Sequence, residues 1–319
     1  MIDDDQVARG KRIQQRTGRT FHLATRLLPE RIRHPTYVLY GFFRVADEVV
    51  DAEETGTPEE QRAELERLRE AALGRAETDD PVLDAFATVQ TERGIDEADV
   101  HAFVDAMQSD IERDRYETFA ELRAYMDGSA AAVGRMMTAL MDPADPERAL
   151  PHATALGEAF QLTNFLRDVR EDAVELDRVY LPEEVLREHD VDPEQILALE
   201  FDERVEAAMR SLLARTEALY REGVAGIKFL PEDCQLAVLF AAVLYADHHR
   251  LIRNRGYDTV TTTPELGTAR SVWLYLRTRW HWRWSGDPET VFRKVVTGFE
   301  SDQRSEHTHG QHTATGTDS

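Results

Sequence analysis

In the stretch Gln161-Leu-Thr-Asn164-Phe-Leu-Arg167-Asp168-Val-Arg-Glu171-Asp172, the apolar residues Leu162, Phe165, Leu166 and Val169 recur at three- and four-residue intervals. That period predicts a helix with one buried side. Asn164, Asp168 and Asp172 stand four apart, so on a single helix they line up on one face over two turns. A second stretch, Tyr40-Gly-Phe-Phe-Arg44-Val-Ala-Asp47-Glu48-Val-Val-Asp51, repeats the pattern, with Val45, Val49 and Val50 as its apolar side. Outward from these two, the helical period persists. Leu65, Leu68, Ala72 and Leu73 make one stripe; Leu212, Leu213, Thr216 and Leu219 make another. Thr57-Pro58, Asp80-Pro81 and Pro231-Glu232 mark helix starts. Alternating strand patterns are scarce, and no Gly/Ser linker or fixed-period repeat divides the chain. The expectation is an all-α fold, one domain over residues 1–300, with a disordered His-containing tail over 301–319.

The spacing Asp-x-x-x-Asp is not rare in a chain with 28 aspartates, and it occurs at 47/51, 80/84, 110/114 and 168/172. Context separates the four. Asp80 precedes Pro81 and reads as a helix cap. Asp110 and Asp114 sit among Glu112, Arg113 and Arg115, which predicts a solvated face. The pairs 47/51 and 168/172 lie on helices with an apolar side. Like charges one turn apart destabilise a helix by about 0.2–0.5 kcal/mol, and burying them unpaired costs more. A shared cation is one physical reason to keep them, because Mg²⁺ takes oxygen ligands, commonly one or two carboxylates plus substrate phosphate. Arg44 and Arg167 are then placed to fork onto phosphate oxygens. Surface ion-pair networks in an acidic protein fit the same spacing.

The chain is acidic. Its 319 residues hold 61 Asp+Glu against 38 Lys+Arg, a net charge of −23. Nucleic-acid binding is disfavoured, since phosphate backbones call for a basic face, and so is attraction to anionic lipid. Only three of the basic residues are lysines (Lys11, Lys228 and Lys294). Many carboxylates with almost no lysine suggest a protein from a salt-rich medium, where self-repulsion is screened; the plainer alternative is an ordinary acidic soluble protein. The one cysteine, Cys234, excludes a disulfide scaffold. Asp3, Asp4 and Asp5 are the opposite of a basic leader, and the apolar run Cys234 to Ala246 is too short to span a bilayer. A cytoplasmic protein is expected. His307, His309 and His312 in the tail lack a carboxylate or thiolate framework, so no metal site is expected there.

The two acidic stretches resemble the squalene/phytoene synthase family. Gln161 to Asp172 followed by Arg178-Val-Tyr180-Leu181-Pro182 is nearly the family signature, and Tyr40, Arg44, Asp47 and Asp51 match its first motif. A third match runs through Arg115-Tyr116, Leu122, Tyr125 and Ala130 to Gly134. The resemblance covers roughly residues 18 to 255. It implies an all-α isoprenoid synthase fold with a central cavity, and head-to-head joining of two prenyl diphosphates. Carried over residue by residue, it implies Asp47, Asp51, Asn164, Asp168 and Asp172 as ligands of Mg²⁺ or Mn²⁺. Arg44 and Arg167 would bind diphosphate, and Tyr40, Tyr125 and Tyr245 would line the substrate site. The deprotonating base stays open between a tyrosine and the released diphosphate.

The pattern resembles the phytoene branch, which implies two geranylgeranyl diphosphates as substrate, carotenoid biosynthesis, and no NADPH. No Gly-rich dinucleotide fingerprint is present. Squalene or dehydrosqualene synthesis from two farnesyl diphosphates is the alternative within the family. A catalytically dead scaffold for carotenoid enzymes is the alternative outside it. The resemblance and the hydrocarbon product imply peripheral membrane contact and association with other carotenoid enzymes. Ala130, Ala131, Ala132 and Gly134 would keep a tunnel face small or merely permit close helix packing, and Phe160, Phe165 and Phe240 are candidate walls. Glu48 follows Asp47 where many members have a second Asp. His22, Asp127 and Ser129 also depart from the pattern. The ending after Gly256-Tyr257 is Thr261-Thr262-Thr263-Pro264 rather than basic, which leaves Arg270 as a loose candidate for the family's late diphosphate-binding arginine.

Overall fold

The computed structural model describes residues 23–51 and 56–297. The stretch 301–319, His22 and the side chain of Asp51 lie outside the described residues. Helices follow one another as α1 Glu30–Asp51, α2 Pro58–Ala72, α3 Pro81–Arg93, α4 Glu97–Ser109, α5 Phe119–Met126, α6 Ala132–Met141 and α7 Pro146–Arg167. Then come α8 Val169–Glu175, α9 Glu183–Glu188, α10 Pro193–Leu197, α11 Glu203–Ala225, α12 Glu232–Asn254, α13 Thr268–Ser285 and α14 Pro288–Val295. No strand occurs among the described residues; Arg115 and Val179 form an isolated parallel bridge.

The starts follow the sequence signals. Thr57 and Glu60 close a reciprocal capping box on α2. Asp80 accepts from the Val82 amide at 2.7 Å to open α3, as expected of it. Each such cap contributes about 1 kcal/mol.

Helices α1 to α6 close around one apolar cluster, in which Phe42 stacks on Phe86 with ring centroids 4.0 Å apart. A second cluster joins α7, α11, α12 and α14 around Tyr220, Leu244 and Phe292. The central helix α7 feeds both, giving Leu162 and Phe165 to the first and Leu156 and Ala159 to the second. Its neighbours approach closely. A Cβ on Gly157 would lie 2.5 Å from the Ala130 carbonyl oxygen, so this crossing requires glycine. Between α5 and α6, Asp127–Ala131 forms a π-helical turn, a local widening that re-aims the side chains after it.

The single helix expected through Asn164, Asp168 and Asp172 is two helices. Asp168, at φ −99° and ψ 14°, separates α7 from α8. The Arg170 amide leaves the helical ladder and bonds to the Thr259 carbonyl at 3.1 Å, which explains the break. The four-residue stacking nonetheless survives: the Asp168 amide donates to the Asn164 carbonyl and the Asp172 amide to the Asp168 carbonyl, both at 2.8 Å.

Candidate active site

A cavity of about 440 Å³ lies between α1, the π-turn with α6, α7 and α12. Along α7 its wall includes Ala149, Ala153, Leu156, Phe160, Asn164 and Arg167, three and four apart on one face. From Ala149 to Arg167 that face runs about 27 Å at 1.5 Å per residue. One end is apolar, where Leu28, Met141 and Ala237 pack together. The other end carries Tyr40, Gln161, Asn164, Arg167 and Tyr245. A long apolar pocket with a few polar groups gathered at one end suits an amphiphile with a charged head.

The small-residue stretch serves both readings. Ala130 and Gly134 line the cavity, and Gly134 also admits the Ala153 backbone, whose carbonyl oxygen would lie 2.6 Å from an added Cβ. Ala131 and Ala132 are fully buried and only pack. Of the candidate walls, Phe160 lines the cavity. Phe165 and Phe240 do not: Phe165 stacks on Tyr180 at 4.2 Å and Phe240 meets Tyr275 edge-on at 5.4 Å. Helix phase explains the difference, because Phe160, Asn164 and Arg167 share a face that Phe165 leaves by about 100°.

At the polar end Tyr245 stacks on Phe160 with centroids 4.4 Å apart. Burial holds its phenol above the usual range, and Arg167, Tyr40 and Asp168 are its electrostatic neighbours. The hydroxyl is therefore protonated at neutral pH. Arg167 grips Asp168 in a fork: Nε donates to Oδ1 at 2.6 Å and Nη2 donates to Oδ2. On α1 the corresponding pair is looser, with one bond from Arg44 Nη1 to Asp47 Oδ2 at 3.1 Å. Asp47 lies seven residues beyond Tyr40 on the same helix face, about 10 Å along the axis.

Asp172 is the most perturbed acid of the site. Burial, and then the charges of Asp168 and Glu171, push its carboxyl up to about 8, against the opposing pull of Arg167 and Arg178. Carboxylates crowded in a half-buried place mark a deficit of positive charge. The donor set Asp47, Asn164, Asp168 and Asp172 is all oxygen, which fits Mg²⁺ or Mn²⁺. The half-buried Asn164 amide has no side-chain hydrogen bond among the described residues, so its oxygen is open to a ligand. No group of three or more His, Cys, Asp or Glu side chains able to hold an ion is gathered among the described residues. A hard cation here would therefore take part of its shell from water and substrate oxygen, as Mg²⁺ commonly does.

Three side chains stand elsewhere than expected. Asp110 is not on a solvated face: it is buried and accepts the Tyr125 hydroxyl at 2.8 Å. Tyr125 itself stands outside the cavity wall, in a ring stack with Tyr116, Phe165 and Tyr180. Arg178, to which no role was assigned, ties this stack to the acidic end. Its Nη1 donates to the Tyr180 hydroxyl at 3.2 Å and its Nη2 to the Asp110 carbonyl at 2.6 Å, while its charge acts on Asp172. Arg270 is bonded to Asp247 through Nε at 3.1 Å and Nη2 at 2.6 Å, beside Arg250 on the same carboxylate, and does not line the cavity. Gln161 was also missed as a wall residue, although its three-residue spacing from Asn164 was a usable signal.

The family model described as squalene/phytoene synthase matches residues 14–284. The chain belongs to the squalene/phytoene synthase family. Among curated family members, it is 35% identical over 265 residues to a phytoene synthase of Rhodobacter capsulatus, covering 81% of this chain and 77% of that one. It is 37% identical over 273 residues to a phytoene synthase of Cereibacter sphaeroides, covering 82% and 76%. Among solved structures of the family, a dehydrosqualene synthase in complex with a ligand superposes with a TM-score of 0.78 at 26% identity, over 88% of this chain and 97% of that one. A squalene synthase from Alicyclobacillus acidocaldarius shares the fold, with a TM-score of 0.71 at 24% identity over 80% and 95%.

Proposed function

We infer that the protein is a phytoene synthase, joining two geranylgeranyl diphosphates head to head through a cyclopropyl diphosphate to phytoene. The observation that carries this reading is the 27 Å-scale apolar cavity (about eighteen residues of α7 at 1.5 Å each) ending at Tyr40, Asn164, Arg167 and Tyr245. Identities of 35% and 37% to phytoene synthases, against 26% to the dehydrosqualene synthase, favour the twenty-carbon substrate.

The residues divide the work. The apolar wall holds the prenyl chains and excludes water, so a carbocation survives long enough to be attacked by an alkene rather than by solvent. Arg167 and Arg44 meet the negative charge that grows on a departing diphosphate. Mg²⁺ or Mn²⁺, held by Asp47, Asp51, Asn164, Asp168 and Asp172, supplies Lewis-acid neutralisation of the diphosphate when bound. The stacked faces of Phe160 and Tyr245 border the polar end, where allylic cation forms, and aromatic faces attract cations. The double bond of the second substrate attacks C1 of that cation, and loss of a proton closes the cyclopropane. Departure of the second diphosphate, rearrangement and loss of a second proton give the central triene. No hydride enters, so NADPH has no part in the balance. The net charge of −23 supports a salt-rich cytoplasm as its medium.

The test is product analysis of the purified protein with geranylgeranyl diphosphate and Mg²⁺ in high salt without NADPH. Phytoene in the organic extract is the expected result. A thirty-carbon hydrocarbon from farnesyl diphosphate, with none from the longer substrate, overturns it in favour of dehydrosqualene synthesis, the reading that the 0.78 superposition keeps open.

A further inference from the structure

The chain has four tryptophans, and all of them lie in α13: Trp273, Trp280, Trp282 and Trp284. Three point outward, with Trp280 63% and Trp284 73% exposed, and Leu276 between them is 59% exposed. At 100° per residue Trp273, Leu276, Trp280 and Trp284 fall within one stripe about 80° wide. The opposite face holds Ser271, Leu274 and Thr278, which are buried, and Tyr275, which packs edge-on against Phe240 of α12. The stripe is therefore not a face left over from poor helix packing. The helix is docked on one side and presents large apolar side chains on the other, and such patches mark interaction surfaces.

Charge says what the partner is. Along α13 there are four arginines (Arg270, Arg277, Arg279 and Arg283) and no acidic residue. From Thr268 to Val295 six basic residues face two acidic ones, in a chain whose net charge is −23. On the helical wheel Arg270 and Arg277 flank the stripe on one side, Arg279 and Arg283 on the other. Arg270 and Arg277 have protein partners: Arg270 bonds Asp247, Arg277 bonds the Lys294 carbonyl, and both guanidiniums lie near the Trp273 ring. Arg279 donates one bond to the Tyr275 hydroxyl at 3.0 Å, and Arg279 and Arg283 are both exposed, with donors left for a ligand. An apolar stripe of tryptophans bordered by arginine is the composition of a helix lying in the interface of a bilayer: the indoles sit at headgroup depth and the arginines reach lipid phosphates. No described helix is long and apolar enough to cross a membrane, so contact here is parallel to the surface.

We propose that α13 docks the protein on anionic bilayers through Trp273, Leu276, Trp280 and Trp284, with Arg279 and Arg283 on lipid phosphates. The net charge of the chain argues against anionic lipid, but charge acts over about 8–10 Å at ordinary ionic strength, so the local basic face governs contact. The far face of α12 lines the cavity at Ala237, Ala241 and Tyr245. Docking thus sets the cavity about one helix spacing, some 10 Å, from α13. The proposal stands on this surface and takes from the proposed reaction only a reason for its use, since prenyl diphosphates and hydrocarbon products partition into lipid.

The experiment is vesicle flotation of the full chain without substrate, on phosphatidylcholine vesicles with and without phosphatidylglycerol, together with intrinsic tryptophan emission. Every tryptophan reports on α13. The expected result is flotation that strengthens with phosphatidylglycerol and a blue shift of the emission. The double substitution Trp280→Ser and Trp284→Ser should cut vesicle-bound protein at least tenfold. Arg279→Glu with Arg283→Glu should abolish the preference for phosphatidylglycerol. Turnover of detergent-solubilised substrate should be unchanged in both, which also shows that they fold. Flotation equal in wild type and the tryptophan variant overturns the proposal. So does a lack of flotation with a concentration-dependent dimer that the same variant dissolves, which assigns the stripe to a second copy. Because binding is read without turnover, a wrong reaction and a wrong surface give different results.

Discussion

The two acidic motifs have the same letters and different physics. On α1, Arg44 and Asp47 share a single hydrogen bond on an unbroken helix and both side chains keep part of their solvent. At the α7–α8 junction, Arg167 forks onto Asp168, the backbone breaks at Asp168, and Asp172 is pushed up to about 8 by burial and by its acidic neighbours. The spacing Asp-x-x-x-Asp fixes which face the carboxylates share. It does not fix how much charge that face tolerates. The difference makes the first motif a loosely held ion pair and the second a crowded set of carboxylates short of positive charge.

The strongest test of that comparison is whether both motifs are needed. Asp47→Ala and Asp168→Ala should each lower kcat by about 10³-fold or more if both carboxylates hold the ions that neutralise the leaving group, with the far-ultraviolet circular dichroism unchanged. Activity kept by either variant would reduce that motif to an ion pair. Next in size is the arginine pair. A lysine supplies charge but no fork, so Arg167→Lys should lower kcat/KM by about 10²-fold and Arg44→Lys only a few-fold, on the usual scale of ~10-fold per 1.4 kcal/mol. Equal losses would erase the contrast drawn from the hydrogen bonds.

The smallest effect is on stability, and it is expected for only one of the two motifs. Asp172 holds its proton in the folded state up to about 8, whereas the usual carboxyl loses it near 3.8. Between those values the unfolded chain ionises freely and the folded one does not, so stability falls as pH rises through that window. Asp172→Asn should therefore leave the metal-free protein nearly unchanged near pH 3 and stabilise it by about 1–2 kcal/mol at pH 5, with the gain growing as pH rises towards 8. Asp47→Asn, at a partly exposed pair, should stay within about 0.5 kcal/mol at both. Thermal melts in chelator at the two pH values read this directly. A gain for Asp47→Asn, or none for Asp172→Asn, would remove the electrostatic distinction.

Much was legible in the sequence because it is local. Helix period, the caps at Thr57 and Asp80, and the stacking of Asn164, Asp168 and Asp172 depend on residues within a turn or two of one another. What the sequence hid depends on partners distant in the chain. The Thr259 carbonyl takes the Arg170 amide and splits a helix that local period alone makes continuous. Asp110 has charged sequence neighbours yet is buried beneath Tyr125, because Tyr180 and Arg178 come to it from about seventy residues away. Phe160 faces the cavity and Phe165 does not, a matter of phase about α7 that becomes visible only once the cavity has a side. The four tryptophans near the C-terminus were plain in the sequence, but that three of them face solvent was not.

The sequence by itself determined the helical class, through the period of its apolar residues, and the family and the chemical types at the polar end, through the resemblance of its motifs; both are carried along one chain. Only the tertiary structure decided the electrostatics and the exposures: which carboxylate resists its charge, which aromatic ring lines the cavity and which helix face is exposed. Burial is a property of what packs against a residue, and no residue carries that information in its own neighbourhood.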